Sequence, residues 1–347
     1  MDIVGGQAVQ AVRLIEHLKQ EPSVTVDFLP VNPRLPGALR KLQSIKYVRT
    51  VTTSYFYWLK LLATVPFFDV IHIFSASYFS FLLAPAPAIT IANMFRKKIV
   101  LNYHSGEAED HLQRWPKTSI PLLQLADEII VPSPYLVRVF SKFGLRSKAI
   151  FNVIDFDQLI FRQRETLRPA FLSNRNFEAH YGVDVVLRAF AVVQKRFQDA
   201  TLKVAGDGPG REALHKLAAE LNLRNVEFVG TVTRERMSEL YNEADCFLNG
   251  SRIDNQPLSI LESFASGLPV VTTNAGGIPD MVTSGVTGSI VEMDDHEALA
   301  QAAIDLIDNP EKATRMISDA RKECQRYTWE AVRDQWLDAY SIHGSQG

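Results

Sequence analysis

Two hydrophobic rhythms alternate along this chain: short β-branched apolar runs, and longer stretches with an apolar position every three or four residues. In the first half, Gln7 to Lys19 has helical periodicity. Strand-like runs follow at VTVDFLPV (Val24 to Val31), DVIHIFS (Asp69 to Ser75), KKIVLNYHS (Lys97 to Ser105), ADEIIVPS (Ala126 to Ser133) and KAIFNVID (Lys148 to Asp155), with helical segments between them. In the second half, PAFLSN, ATLKVAGDG, NVEFVG, ADCFLNGS and PVVTT read as strands. They are separated by helical segments at Val183 to Gln198, Arg211 to Leu221, Thr233 to Glu243 and Leu258 to Ser266. Such alternation predicts an α/β protein with a parallel sheet in each half. The change of domain falls around Asp155 to Arg168, and Pro169 opens the second sheet. The last segment, Tyr327 to His343, has Trp329, Val332, Trp336 and Tyr340 at helical spacing.

The densest pattern lies between Ser251 and Asp280, SRIDNQPLSILESFASGLPVVTTNAGGIPD. Asn255 can cap and Pro257 suits a first helical turn, after which LSILESFAS places Leu258, Leu261 and Phe264 or Ala265 on one face. Gly267 and Pro269 end this helix, and Val270 to Thr273 form a buried parallel strand. Gly276 and Gly277 then allow close backbone approach ahead of a second helix start at Ile278-Pro279-Asp280. Ligands of doubly wound sheets bind outside the carboxyl ends of the strands, so both helix starts face one crevice. A helix start carries about half a positive charge and unpaired N–H groups, which favours a diphosphate. Asp254 sits just before the first helix, and Glu262 lies one to two turns into it.

Composition changes the picture little. With 347 residues and 46% hydrophobic content the chain is long enough for two domains. A net charge of −2 argues against a face for nucleic acid. Two cysteines, Cys246 and Cys324, provide neither a disulfide framework nor a zinc set and suit a reducing, cytoplasmic compartment. No charged residue occurs from Ile73 to Phe95, but Pro85 and Pro87 interrupt the run. It reads as a strand end, a loop and a buried helix opened by proline rather than a membrane span.

The Ser251 to Asp280 block resembles the signature of family 4 retaining glycosyltransferases of the GT-B fold, in which two acidic residues are separated by seven others. The resemblance implies two Rossmann-like domains facing across a cleft: 1–160 on the acceptor side, with the terminal helix 327–347 crossing back to it, and 161–326 binding a nucleotide sugar. It assigns Glu262 to the ribose hydroxyls and Asp254, in place of the usual Glu, to hydroxyls of the donor sugar. Where the family shows Gly-Phe-Gly, this chain has Asn255-Gln256-Pro257. The proline removes one amide donor, leaving the amides of Leu258 and Ser259 for the phosphates. Arg175 matches an arginine that binds the diphosphate, while the family's lysine is replaced by Tyr181, beside His180. His104 matches a histidine near sugar and acceptor. Gly5 and Gly6 match a glycine loop, and Gly206 to Gly210 a glycine-proline turn. Val229, Gly230 and Thr231 match backbone contacts to the base, and Gly276 and Gly277 a phosphate loop.

On this resemblance the expected activity is retaining transfer of a sugar from a nucleotide-diphosphate donor to a carbohydrate or lipid-linked hydroxyl, in polysaccharide or glycolipid synthesis. It is expected to need no metal and no cofactor. The domains would close on the donor, and the leaving phosphate would help deprotonate the acceptor. A catalytically silent nucleotide-sugar-binding scaffold is the alternative, motivated by Asp254 and Tyr181. An epimerase or phosphorylase of the same fold is a third.

Four further features carry expectations. Only four residues precede Gly5, so the first strand of the N-terminal sheet is expected to lie upstream of Met1. His72 alternates with apolar residues and reads as part of a buried strand. Asp155-Phe156-Asp157 is formally an acidic metal motif but follows FNVI at the domain junction, where a hinge is expected. Between Arg34 and Leu62, Arg34, Arg40, Lys41, Lys46, Arg49 and Lys60 mix with Tyr47, Tyr55, Phe56, Tyr57 and Trp58. Two readings stand: peripheral attachment to an anionic membrane surface, or an amphipathic core-facing helix pair with a solvated basic edge.

Overall fold

The structure, a computed structural model, describes residues 6–33, 45–75 and 77–341. Gly5, Arg34, Arg40 and Lys41 lie outside these residues, as does the strand expected ahead of Gly5. The chain divides into two compact units, residues 1–150 with 333–347, and residues 151–332.

In the first unit α1 (Gly6–Leu18) and α2 (Lys46–Thr64) precede β1 (Val70–Ser75), α3 (Tyr78–Leu83), α4 (Pro85–Met94) and β2 (Lys98–Tyr103). Then come α5 (Ala108–Arg114), α6 (Pro116–Leu123), β3 (Glu128–Val131), α7 (Pro134–Lys142) and β4 (Lys148–Ala149). The four strands are parallel, in the order β1-β2-β3-β4. Buried Ile99, Leu101 and Tyr103 of β2 pack with Phe81, Ile89, Leu112 and Phe140 from the surrounding helices. The uncharged run Ile73 to Phe95 folds as the end of β1 followed by α3 and α4, and no helix among the described residues is long and apolar enough to cross a membrane.

Two strand expectations fail here. Val24 to Val31 is irregular, although half-buried Val24 and Val26 still alternate with exposed Thr25 and Asp27. Alternation supplies one face to the core, but a strand also needs a neighbour for its N–H and C=O groups. Among the described strands β1 pairs with β2 alone, so the alternating segment meets no ladder. The run from Lys148 to Asp155 is paired only at Lys148 and Ala149, because its one neighbour, β3, ends at Val131.

The second unit has β5 (Ala170–Asn174), α8 (Val183–Arg196), β6 (Thr201–Ala205), α9 (Arg211–Glu220), β7 (Val226–Gly230), α10 (Arg234–Glu243) and β8 (Cys246–Asn249). These are followed by α11 (Leu258–Ala265), β9 (Val270–Thr273), β10 (Ser289–Val291), α12 (His296–Asp308) and α13 (Pro310–Glu323). The second helix expected after the two glycines is a single 3₁₀ turn, Ile278–Asp280. All six strands are parallel, in the order β10-β9-β8-β5-β6-β7. Strands β8 and β9 are buried at every residue, as expected of parallel strands covered on both faces. Strand order reverses between β5 and β8, so the loops leaving their carboxyl ends diverge there and open a crevice.

The last helix, α14 (Trp329–Tyr340), begins in the second unit, and from Arg333 onward it belongs to the first, which is therefore discontinuous. Its anchors there are specific. Arg333 grips Glu21 with two hydrogen bonds of 2.7 and 2.6 Å. Tyr340 donates its phenol to His72 Nδ1 at 2.7 Å if the histidine presents that nitrogen as acceptor, and Trp336 stacks on the same imidazole with centroids 5.4 Å apart. Burial pushes His72 down to about 3, so the ring is neutral and suited to accept.

Candidate functional site

The site grows from the switch point. Arg175 follows β5 directly and Asp254 lies in the loop after β8, and the two form an ion pair with both side chains about one-tenth exposed. Two further contacts fix Asp254: Ser251 Oγ donates to it at 3.1 Å and the Asn255 N–H at 3.1 Å. Arg175 also lies 3.5 Å from Ser259 Oγ in the first turn of α11, and its guanidinium stacks over Tyr181, 4.1 Å from the ring centroid. Tyr181 thus uses its ring face to hold the guanidinium in place.

Glu262 reaches the same rim by another route. Tyr241 on α10 donates its phenol to Glu262 Oε2 at 3.1 Å, and Asn174 Nδ2, on the last residue of β5, donates to the Tyr241 oxygen at 3.2 Å. Adjacent residues at one strand end therefore address the two carboxylates: Arg175 directly, Asn174 through a buried phenol. Sequence reasoning missed Asn174, Tyr241 and Ser251. Only Asn174 carried a signal, a polar residue at the carboxyl end of a buried strand. Tyr241 reads from sequence as one more aromatic on the inner face of a helix.

The glycine turn after β6 frames Arg175 by sterics. Its loop bonds the Arg175–Phe177 segment through Phe177 N–H to Asp207 O and Gly210 N–H to Phe177 O, at 3.0 and 2.8 Å. A side chain on Gly210 would stand 2.6 Å from the Phe177 oxygen, and one on Gly206 would overlap Arg175 O. Gly182 plays the same part across the sheet: its backbone is left-handed and a Cβ there would overlap the oxygen of Gly250. Arg252 then ties the His180–Tyr181 loop down, bonding Ala179 O, Asp184 and Asp294 while its N–H donates to His180 O.

Several expected donors are differently engaged. Asn255 is not the cap of α11; Pro257 takes that position in an extended conformation, with no side-chain cap. Gln256 turns its Oε1 to the Asn152 N–H at 2.7 Å, anchoring the chain at the domain junction. The Gly277 N–H is consumed by Asp254 O at 3.0 Å, because the loop after β9 folds against the loop after β8. Gly276 has the left-handed backbone its position needs. The amides of Leu258 and Ser259 open α11 and have no intrahelical acceptor. Gly230, also left-handed, accepts the Gly206 N–H at 2.9 Å through its carbonyl, and open space lies where its side chain would be.

In the first unit Gly6 is the first residue of α1. His104 follows β2, with its ring 5.7 Å from Phe74, and burial pushes it down to about 4. The ring is therefore neutral at pH 7. Asp155 and Asp157 flank the first residue of a 3₁₀ turn, Phe156–Gln158. No group of three or more His, Cys, Asp or Glu positioned for a metal occurs among the described residues.

Residues 4–158 match the model of Glycosyltransferase Family 4, and residues 156–323 match that of Glycosyl transferases group 1. The chain belongs to glycosyltransferase family 4. It is 28% identical over 287 residues to the sulfoquinovosyl transferase SQD2 of Arabidopsis thaliana, covering 76% of this chain and 54% of that one. A GDP-mannose-dependent alpha-(1-6)-phosphatidylinositol monomannoside mannosyltransferase of Mycolicibacterium smegmatis is 31% identical over 157 residues, 43% of this chain and 41% of its own. The chain thus spans about half the length, or less, of the curated relatives it matches. Among solved structures, Anabaena HepE in complex with UDP and glucose has a TM-score of 0.72 at 19% identity, covering 88% of this chain and 83% of that one. Sucrose-phosphate synthase from Thermosynechococcus elongatus has the same TM-score and identity, covering 97% and 93%. The shared fold is GT-B.

Proposed function

We propose that this family member transfers a sugar from a nucleoside-diphosphate sugar to a hydroxyl acceptor, with retention of configuration and without a metal ion. The observation that carries the reading is the convergence of Arg175, Asp254 and Glu262 at the switch point of the second sheet. Glu262 accepts the ribose hydroxyls, while Arg175 and the first-turn amides of α11 stabilise the leaving diphosphate. Asp254 orients the sugar. Held by a guanidinium, a hydroxyl and an amide, it is fixed as an acceptor of hydroxyl protons and is not free to swing onto the anomeric carbon. The bond between the anomeric carbon and the phosphate oxygen breaks, the new glycosidic bond forms on the same face, and the acceptor proton passes to the leaving diphosphate. His104 contributes a neutral hydrogen-bonding group to sugar or acceptor.

A lipid-linked acceptor at an anionic membrane is the finer reading. The mannosyltransferase of Mycolicibacterium smegmatis is named for a phosphatidylinositol monomannoside, and the segment around helix α2 supports the reading for this chain. Between Phe28 and Phe68 there are six basic residues and no acidic one. Helix α2 buries Thr53, Tyr57 and Leu61, which answers to the core-facing expectation, yet it also exposes Val51, Tyr55, Trp58, Leu59 and Leu62 on a second stripe. Exposed Phe67 extends that surface in sequence. Apolar burial and counter-charge act together at such a surface, each Lys or Arg adding about 1 kcal/mol near anionic headgroups.

Turnover of UDP-, GDP- and ADP-sugars tests the activity. Glu262→Ala should raise the KM for the donor, and an unchanged KM refutes the ribose role. Product NMR reads the anomeric configuration, and activity surviving exhaustive EDTA treatment is the expected metal result. Donor binding with neither transfer nor hydrolysis leaves a nucleotide-sugar-binding protein instead. Equal sedimentation with neutral and anionic liposomes removes the membrane reading.

A further inference from the structure

We infer that Tyr241, steered by Asn174, is a positioning residue that sets the orientation of the Glu262 carboxylate for the nucleotide's ribose. The inference rests on the nucleotide-sugar reading above.

Tyr241 is fully buried on the inner face of α10, packed with Phe247, Ile260, Leu261 and Phe264. Phenylalanine would fill almost the same volume, and burying a hydroxyl costs free energy unless it is hydrogen-bonded. Here the hydroxyl makes two bonds, and they are directional. The phenol has one hydrogen. The Asn174 amide donates to the phenolic oxygen, so an inward-pointing hydrogen would clash with the amide hydrogen, and the proton is committed to Glu262 Oε2. Burial, together with the charge of Glu262, holds the Tyr241 phenol far above its ordinary range, so it remains a donor at every pH at which the protein works.

The geometry matters because Glu262 projects from the wall of α11, on a flexible side chain with three rotatable bonds. A ribose diol requires a carboxylate in one plane, accepting two hydroxyls at once. One lone pair of Oε2 given to a rigid buried phenol fixes that plane. The same strand end holds both anchors: Asn174 orients the ribose carboxylate, and Arg175 pairs with Asp254. A shift of β5 therefore moves both halves of the donor site together.

The test uses the full chain and thermal-shift or calorimetric binding with uridine, guanosine and adenosine diphosphates and their 2′,3′-dideoxy counterparts. The wild type should prefer one ribonucleotide to its dideoxy form. Tyr241→Phe should lose most of that preference, about tenfold in Kd for the ribonucleotide, while the dideoxy form binds as before. Asn174→Ala, which frees the phenol to rotate, should lose a smaller part. It also serves if Tyr241→Phe folds poorly. In turnover the loss should fall on the donor KM, with kcat changed less than about threefold. If Glu262→Ala abolishes ribose preference while both Tyr241→Phe and Asn174→Ala keep it, the positioning role is overturned and the nucleotide site stands. If no nucleotide binds, or Glu262→Ala keeps the preference, the underlying nucleotide reading fails.

Discussion

Replacing Arg164 by methionine should destabilise the second unit strongly. Arg164 is fully buried and lies in the segment that leads from the domain junction into β5. It donates to Tyr241 O and Ala244 O at the carboxyl end of α10, both at 2.8 Å, and to Ser266 O and Gly267 O beyond the end of α11, at 2.9 and 2.6 Å. A cation at two helix carboxyl ends is favoured by both dipoles, and buried Asp245 supplies the counter-charge, shared with Arg162 and Arg168. Burial pushes Arg164 down to about 10, with repulsion from Arg162 acting the same way, so it still carries its proton at pH 7. Methionine matches the stem but orphans these carbonyls and unbalances the ion cluster. Removing one partner from a buried ionic network costs about 3–5 kcal/mol. For a unit of this size that corresponds to a fall in Tm of about 10–15 °C. Arg164→Lys keeps the charge without the planar fork and should lose roughly half as much. Differential scanning calorimetry of the wild type and both variants reads the effect. A Met variant melting within about 3 °C of the wild type would show that the carbonyls find other donors and that the clamp contributes little.

Four other outcomes follow from the same geometry. Gly182→Ala, which combines a left-handed backbone with overlap on Gly250 O, should cost more than about 3 kcal/mol, whereas Gly144→Ala, also left-handed but with open space, should cost about 1–2 kcal/mol by urea unfolding. Equal costs would refute the close-approach account. His72, whose folded value of about 3 lies below its ordinary 6.5, contributes stability that is complete above pH 6.5 and is lost as pH falls toward 3. Wild-type Tm should accordingly drop between pH 6.5 and 4.5 more steeply than that of His72→Gln, and parallel slopes would count against it. Asp254→Asn frees Arg175 from its counter-charge and should tighten nucleoside diphosphate binding about two- to fivefold while transfer falls; weaker binding would mean the pair is needed to shape the site. Tyr181→Ala, which removes the ring under Arg175, should lower kcat/KM by about tenfold while Tyr181→Phe retains it, measured by initial rates.

The neighbourhood of Asp254 and Glu262 was legible because it is local. Seven residues of chain separate them, and a turn, a helix and a buried strand follow from the order of Asn, Pro, Gly and β-branched positions. Details of capping were less legible: Pro257, not Asn255, opens the helix, and the Gly277 amide serves a neighbouring loop. Those choices depend on which groups tertiary contacts leave unsatisfied, and spacing carries no record of that. The Val24 to Val31 run shows the same limit from the other side. Its alternation is real, but a strand is a property of a pair, and pairing is not written in one segment.

What the sequence determined by itself was the α/β alternation, the parallel character of its buried strands and the cluster of chemistry after Ser251, all consequences of periodicity and of residues that restrict the backbone. Tertiary structure alone decided that strand order reverses between β5 and β8, that Asn174 and Arg175 at one strand end address two carboxylates, and that Tyr181 stacks on the arginine. Apart from the Tyr181 stacking, those contacts join residues tens of positions apart in the chain. They are set by how strands are ordered and helices packed, where the free energy is shared among the whole core and belongs to no single stretch of sequence.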